Sequence, residues 1–286
     1  MSSSVQQAKI NQIEKEDIAR SFSRAAKTYD DAAFFQKVAG ERLLERLQYF
    51  KLKPKRILDL GCGTGFFTRE LSKRYPDAKV TGADLAQGMI DFCCSQSKQE
   101  EYVCADALKL PFEASSFDFI FSNLTFQWVD ELPQLFQELN RVLKPDGLLL
   151  FTTLGPDTLF ELKKSWAAVN DYQHVNSFID MHHVGDAMLS ARMSDPVVDS
   201  EPVVIAYNKA IELMRDLKNI GAHNIDSSRN HGLTSPRQLR QLEKEYQQFR
   251  MADGQLPATY ELVYGHAFGT EASSTVGYHD YAIEIS

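Results

Sequence analysis

Short apolar runs alternate with amphipathic patterns over the first half of the chain. Apolar residues recur every three or four positions in Phe66–Arg74 and Leu132–Leu143, which predicts helices there. The apolar runs predict strands at Arg56–Leu60, Lys79–Ala83, Tyr102–Cys104, Phe117–Ser122 and Leu148–Thr153. Strands that alternate with helices are typical of an α/β fold with a parallel sheet, in which right-handed crossovers place helices on both faces.

The pattern changes after Thr153 and predicts added helices with two late strands. Helices are expected at Thr158–Val169, Met181–Ser190, Lys209–Ile220 and Pro236–Phe249, and strands at Val203–Tyr207 and Thr259–Phe268. The segment Lys15–Phe50 is also helical in pattern. We therefore predict a helical lid at 1–50, a sheet core at 51–155, added helices with the last two strands at 156–268, and a flexible tail at 269–286.

The charge balance limits the partners that this chain can bind. Its 286 residues include 39 acidic and 31 basic side chains, which gives a formal net charge of −8. This balance disfavours nucleic acid and anionic membrane surfaces as partners. No signal peptide or membrane-spanning run is visible, and the 4 cysteines form neither a zinc motif nor a disulfide framework. We expect a cytoplasmic protein without a metal site.

A glycine-rich loop at Asp59–Gly65 (DLGCGTG) lies between the first strand and the helix that follows it. Glycine permits sharp turns at positive φ and lets a ligand approach the backbone closely. A dinucleotide-binding loop would carry its third glycine at position 66, which is phenylalanine here. Asp59 would repel a pyrophosphate but could pair with an ammonium group. The loop therefore favours a zwitterionic or cationic ligand.

Two further acids lie where successive strands end. Asp84 follows the second strand and could accept hydrogen bonds from ribose hydroxyls, and Asp106 follows the third strand and could accept one from the adenine amine. Each acid alone could instead cap a helix or stabilise a turn. Because the carboxyl ends of parallel strands share one edge of a sheet, the three acids together describe S-adenosylmethionine, which carries an amine, a ribose and an adenine.

Over Arg56–Thr153 the chain resembles the class I S-adenosylmethionine-dependent methyltransferases. The resemblance rests on DLGCGTG, on GADLAQGMI and on CADALKLPFEASSFDFIFSN. It implies a Rossmann-like fold with a mostly parallel seven-stranded sheet and added helices that form a lid. It also implies that the cofactor contacts Asp59, Gly61, Gly63, Gly65, Asp84, Leu85, Met89, Asp106, Ala107 and Asn123. Tyr29 in the predicted lid is a further candidate for this site, although it could simply pack between helices.

Other segments resemble a narrower family, the malonyl-acyl-carrier-protein O-methyltransferases of biotin synthesis. These segments are Ile18–Ala33, Ser122–Leu132, Phe151–Trp166, His174–Asp186 and Met214–Asn224. The resemblance implies methyl transfer from S-adenosylmethionine to the free carboxylate of malonyl-acyl-carrier-protein, with malonyl-coenzyme A as the other possible substrate. The chain departs from the family pattern at His183, where the family has aspartate, and in the tail after Gly269.

The proposed reaction makes demands that can be compared with the residues. Methyl transfer is an in-line displacement that depends on positioning and on exclusion of water, and a carboxylate nucleophile needs no general base. A cation should orient the carboxylate, and Arg215 and Lys218 on one predicted helix face are candidates. Trp128 and Phe178 could wall a tunnel for a phosphopantetheine arm. An ordinary solvated helix face is the alternative for the two cations.

An acidic carrier protein would require a basic patch on this acidic chain, because net charge alone would repel it. Arg237, Arg240 and Lys244 lie on one face of a predicted helix and are the candidates for docking. A solvated helix face is again the alternative.

Two other functions remain open at the level of sequence. The first is methylation of a free small carboxylic acid or of another small metabolite, for which the cofactor motifs would look the same. The second is a regulatory protein that binds the cofactor without catalysis. The full set of Asp59, Asp84, Asp106 and Asn123 argues against this second function, because a site that has lost its activity tends to lose acids or glycines.

Overall fold

A computed structural model describes residues 15–222 and 235–271 of the protein. Its strands are β1 (Arg56–Leu60), β2 (Lys79–Asp84), β3 (Glu101–Cys104), β4 (Phe117–Asn123), β5 (Leu143–Leu154), β6 (Ser194–Tyr207) and β7 (Leu256–Phe268). They form one sheet in the order β3-β2-β1-β4-β5-β7-β6. Strands β1 to β5 pair in parallel, and β7 lies antiparallel between β5 and β6. The predicted mostly parallel seven-stranded sheet is confirmed.

Helices flank the sheet and join its strands. They are α1 (residues 15–25), α2 (Tyr29–Ala32), α3 (Phe34–Arg46), α4 (Phe66–Arg74), α5 (Gln87–Gln96), α6 (Leu132–Val142), α7 (Phe160–Ala167), α8 (Met181–Ser190), α9 (Ala210–Asn219) and α10 (Pro236–Tyr246). The prediction of helix throughout Lys15–Phe50 is wrong at three points: a turn at 26–28, a break at Ala33, and the end of the α-helix at Arg46, after which Leu47–Tyr49 form a 3-10 turn. A tertiary contact accompanies the turn, because the Thr28 hydroxyl donates a hydrogen bond to the carbonyl of Asn219.

Both faces of the sheet are buried, as the nearly continuous apolar strands indicate. Ile57 of β1 belongs to one apolar cluster together with Phe121 and Leu150, whereas its neighbour Leu58 belongs to the opposite cluster with Phe136. All five side chains are buried. The two clusters fix the carboxyl ends of the strands, from which the loops of a ligand site can extend.

Strands β5 and β6 begin well before their predicted first residues, whereas β3 and β7 begin only one and three residues early. Strand β6 begins at Ser194 rather than at Val203, although the residues ahead of Val203 are mostly polar and include Pro196 and Pro202. A strand at the edge of the sheet tolerates such residues because it pairs only with β7. Strand β5 begins at Leu143, where the pattern predicts a helix end, because Leu143 pairs with Phe117 ahead of a bulge.

The tail that we predicted to be flexible lies mostly outside the described residues. Its first residues are held to the sheet domain, since the Gly269 carbonyl accepts a hydrogen bond from the Asp146 N–H at 2.9 Å. The Thr270 hydroxyl likewise donates to the Arg192 carbonyl at 2.9 Å. In residues 15–222 and 235–271, no helix has both the length and the apolar character to span a membrane.

Candidate functional site

The glycine loop after β1 forms one wall of a cavity, the first cavity, at the carboxyl ends of β1, β2 and β4. Gly61 lies at φ +72°, and a Cβ added there would collide with the hydroxyl oxygen of Thr125. A Cβ on Gly63 would meet only the ring of Tyr29, at 3.9 Å. Of the residues predicted to bind the cofactor, the lining contains Tyr29, Gly61, Gly63, Asp84, Leu85, Met89, Asp106, Ala107 and Asn123.

Asp84 holds the glycine loop against the end of β2. One carboxylate oxygen accepts a hydrogen bond from the Gly63 N–H at 2.9 Å, and the other accepts one from the Ala86 N–H at 2.8 Å. Burial raises the pKa of Asp84, and these hydrogen bonds oppose the rise. A carboxylate has about four lone-pair sites, so about two remain available to a ligand in the first cavity.

Asp106 lines the first cavity beside a lysine of α1. Lys15 Nζ lies 2.8 Å from Asp106 Oδ2, and Asp106 Oδ1 accepts a hydrogen bond from the Leu108 N–H at 2.9 Å. Both partners of the ion pair are partly exposed, so the pair contributes little to stability. Its effect is to tie α1 to the loop after β3.

Asn123 braces the first cavity at the end of β4. Its Nδ2 donates a hydrogen bond to the Gln36 carbonyl of α3 at 2.9 Å, and its Oδ1 accepts one from the Thr152 hydroxyl of β5 at 2.8 Å. Because both ends of the amide bond to the protein, the side chain holds α3 against β4 and β5.

Two residues that the sequence pointed to do not line the first cavity. Asp59 is only 2% exposed, and its Oδ2 accepts a hydrogen bond from the Thr68 hydroxyl of α4 at 2.6 Å. Burial raises the pKa of Asp59 to about 7. Gly65 is the residue immediately before α4. Both residues shape the loop from outside the cavity lining.

Helix α1 supplies residues of the first cavity that the sequence analysis missed, namely Lys15, Ile18, Ala19 and Phe22. Their spacing of three and four residues places them on one face of a helix. The spacing was visible in the sequence, but it did not indicate that this face covers a ligand cavity rather than the core.

A second cavity adjoins the first through four shared side chains, Phe22, Tyr29, Leu124 and Trp128. Its walls are mainly apolar and aromatic. Trp128 packs edge-on against Phe22, with ring centroids 5.2 Å apart. Within the described ranges no carboxylate lines the second cavity, and Lys218 is the one lysine or arginine in its lining.

Tyr29 lies at the junction of the two cavities. Burial raises the pKa of its phenol, and the charges of Asp84 and Asp30 raise it further. The hydroxyl therefore stays protonated over the physiological pH range and can donate a hydrogen bond at the junction.

His174 contributes a neutral ring to the second cavity. The ring stacks on Trp166 with centroids 3.7 Å apart and an interplanar angle of 8°. Nε2 lies 2.8 Å from Asn170 Oδ1, which is an acceptor, so we assign the proton to Nε2. Burial lowers the pKa of His174, so the ring adds no positive charge to the cavity.

The structure separates the candidates for substrate binding and docking. Trp128, Phe178 and Lys218 line the second cavity, whereas Arg215 is exposed on α9 and is not part of the lining. The candidates on α10 are exposed and line neither of the two cavities: Arg237, Arg240 and Lys244.

Comparison with known proteins gives the family of the chain. A family model described as a methyltransferase domain matches residues 58–151. A malonyl-acyl-carrier-protein O-methyltransferase of Legionella pneumophila is 44% identical over 255 residues, which cover 88% of this chain and 90% of the relative. A protein of the same name from Halorhodospira halophila is 45% identical over 261 residues, which cover 90% and 88%. A biotin biosynthesis bifunctional protein of Cellvibrio japonicus is 43% identical over 253 residues, which cover 88% of this chain and 50% of the relative.

Solved structures share the fold at lower sequence identity. The YcgJ protein of Bacillus subtilis has a TM-score of 0.56 at 18% identity, covering 80% of this chain and 98% of its own. A Haemonchus contortus phosphoethanolamine N-methyltransferase in complex with S-adenosyl-L-methionine has a TM-score of 0.54 at 16% identity, covering 87% and 57%. These likenesses support the predicted Rossmann-like fold. Because the identity to curated relatives extends over nearly the whole of both chains, the protein belongs to the malonyl-acyl-carrier-protein O-methyltransferase family.

Proposed function

We propose that the protein transfers a methyl group from S-adenosylmethionine to the free carboxylate of malonyl-acyl-carrier-protein. The observation that carries this proposal is the second cavity, which joins the first at Tyr29 and Trp128 and has no carboxylate among its described lining residues. An anionic acceptor can enter such a cavity without charge repulsion. Curated relatives that are named for this reaction and for biotin biosynthesis support the same assignment.

The residues of the first cavity fit the chemistry of S-adenosylmethionine. The two remaining acceptor sites of Asp84 suit the ribose hydroxyls, and the carboxylate of Asp106 suits the adenine amine. Leu85 and Met89 offer apolar contacts, and the open backbone at Gly63 leaves room for the methionine portion. We assign these roles to the five residues.

When bound, S-adenosylmethionine supplies a methyl group on a positively charged sulfur, so transfer to a carboxylate neutralises one charge of each sign. A site that excludes water favours such a neutralisation. Phe22, Leu124 and Trp128 supply apolar surface at the junction of the cavities. We assign to the Tyr29 hydroxyl the hydrogen bond that orients the carboxylate. The carboxylate carries no proton, so the site needs no general base.

Incubation with S-adenosylmethionine and malonyl-acyl-carrier-protein, followed by mass spectrometry of the intact carrier, tests the proposal. We expect the carrier to gain the mass of one methylene group. Acetyl-acyl-carrier-protein lacks the free carboxylate and is the matched control, which should gain nothing. A malonyl carrier of unchanged mass would overturn the proposed function. Malonyl-coenzyme A in a parallel reaction shows whether the carrier protein is needed for recognition.

A further inference from the structure

The second cavity borders a surface hollow between α1 and α9. Lys218 lines both the cavity and the hollow. The other charged residues of the hollow all belong to α1: Asp17, Arg20 and Arg24. We call Asp17, Arg20, Arg24 and Lys218, with the backbone that carries them, the basic hollow.

The basic hollow has a positive balance on a chain whose formal net charge is −8. It contains three cations and a single carboxylate, and Arg20 is ion-paired with Asp17. Within the described chain, neither Arg24 nor Lys218 forms a salt bridge, and both side chains are exposed. Two cations are therefore available to an acidic partner beside the second cavity.

Hydrogen bonds hold the two walls of the basic hollow together. The Ser21 hydroxyl donates to the Gly221 carbonyl at 3.0 Å, and the Thr28 hydroxyl is shared between the Asn219 carbonyl at 3.3 Å and the Ala25 carbonyl at 3.2 Å. Arg20 and Arg24 are one turn apart, so they lie on the same face of α1. The positive surface is thus formed before any partner binds.

Two other surfaces fit an acidic partner less well. Another hollow shares the wall formed by Trp166 and His174 with the second cavity, but its charged residues are one lysine, Lys163, and one aspartate, Asp171. Its charges therefore balance. The exposed cations of α10 line neither the second cavity nor the basic hollow. None of them lines the second cavity as Lys218 does.

We propose that the acyl carrier protein docks its acidic surface on the basic hollow and that its thioester arm enters the second cavity past Lys218. This inference rests on the proposed function, since it takes the carrier-bound malonyl group as the substrate. Charge complementarity selects the partner, and the position of Lys218 in both linings gives the arm its route.

The test compares kcat/KM for malonyl-acyl-carrier-protein and for malonyl-pantetheine, which carries the same thioester without a protein or a phosphate. Arg24→Glu reverses a charge of the basic hollow without altering the lining of either cavity. Arg74→Glu makes the same charge change on an exposed residue at the end of α4, and Arg240→Glu makes it on α10. Both reactions are measured in low salt and near 1 M salt, where the Debye length is only about 3 Å.

In low salt, Arg24→Glu should lower kcat/KM for the carrier about tenfold, mainly by raising KM. The kcat/KM for malonyl-pantetheine should stay the same. High salt should reduce the difference from the wild-type protein. Arg74→Glu should affect neither substrate.

Three results would overturn the docking surface. They are a wild-type kcat/KM for the carrier in Arg24→Glu, an equal loss of kcat/KM with both substrates in that variant, and an equal loss of kcat/KM for the carrier in Arg74→Glu or Arg240→Glu. A wild-type protein that methylates neither substrate would overturn the proposed function together with this surface. Wild-type activity combined with an unaffected Arg24→Glu variant would overturn the surface alone.

Discussion

Replacing Asp84 with alanine should weaken the binding of S-adenosylhomocysteine, the reaction product of the cofactor, by at least about a hundredfold. The carboxylate accepts loop N–H groups at 2.9 and 2.8 Å, which leaves about two acceptor sites for the ribose hydroxyls. A hydrogen bond to a charged group contributes about 1.5–3 kcal/mol, so losing two costs about 3–6 kcal/mol. Because about 1.4 kcal/mol corresponds to tenfold in affinity, even the lower value exceeds a hundredfold.

The same substitution removes the acceptor of the Gly63 and Ala86 N–H groups. Each group left unpaired costs about 1–3 kcal/mol, so stability must be measured beside affinity. Circular dichroism gives the melting temperature, and isothermal titration calorimetry gives the affinity at a temperature where the variant is folded. Asp91→Ala is the matched control, because Asp91 is an exposed acid on α5 outside the cavity lining. An unchanged affinity in the folded Asp84→Ala protein would refute the ribose role.

Three further experiments test separate parts of the reasoning. Tyr29→Phe removes the hydroxyl at the junction. Because this change removes one hydrogen bond to a charged group, kcat for the malonyl carrier should fall about tenfold. A wild-type kcat would exclude the hydroxyl from the reaction. Lys218→Ala should raise KM for malonyl-pantetheine, whereas Arg215→Ala should not, because only Lys218 lines the second cavity; equal effects would contradict this distinction. Asp59→Asn should remove a pH dependence of stability. Burial raises the pKa of Asp59 to about 7, from about 4 in the unfolded chain, so between these pH values the folded state binds a proton that the unfolded state has lost. The free energy of unfolding of the wild type therefore falls, by up to about 4 kcal/mol, as the pH rises from about 4 to about 7. Urea unfolding below and above this range should show that the variant becomes more stable relative to the wild type at the higher pH. A difference in free energy of unfolding that does not change with pH would contradict the raised pKa of Asp59.

The strands were predictable from sequence where they are buried on both faces. Strand β1 was predicted with its observed bounds, because Ile57 and Leu58 must both leave water although they point to opposite sides of the sheet. The first half of β6 was not predictable, because it depends on one neighbour, β7, rather than on its own apolar pattern. Helix α5 was also not predicted, because Gly88 lies in its first turn and glycine weakens the helical pattern.

In the candidate site, too, some residues could be placed from the sequence and others depend on how the helices pack. Asp84 and Asp106 were placed together because the topology of a parallel sheet brings the ends of successive strands to one edge. Arg215 and Lys218 are three residues apart, so helical periodicity alone could not tell which of them meets the second cavity. That choice depends on how α9 packs, and packing is a property of the whole fold.

Helix α1 connects the parts of the candidate site, and the docking that we propose on it is a way for an acidic enzyme to bind an acidic carrier. Lys15 pairs with Asp106 at the first cavity, Phe22 lines both cavities, and Arg24 belongs to the basic hollow. Because these residues belong to one helix, the three roles that we propose for them, covering the first cavity, excluding water at the junction and docking the carrier, depend on one position of α1. A net charge of −8 is compatible with this docking, because attraction is needed only where the arm enters. At 0.1 M ionic strength the Debye length is about 10 Å, so the repulsion from more distant acids is weakened.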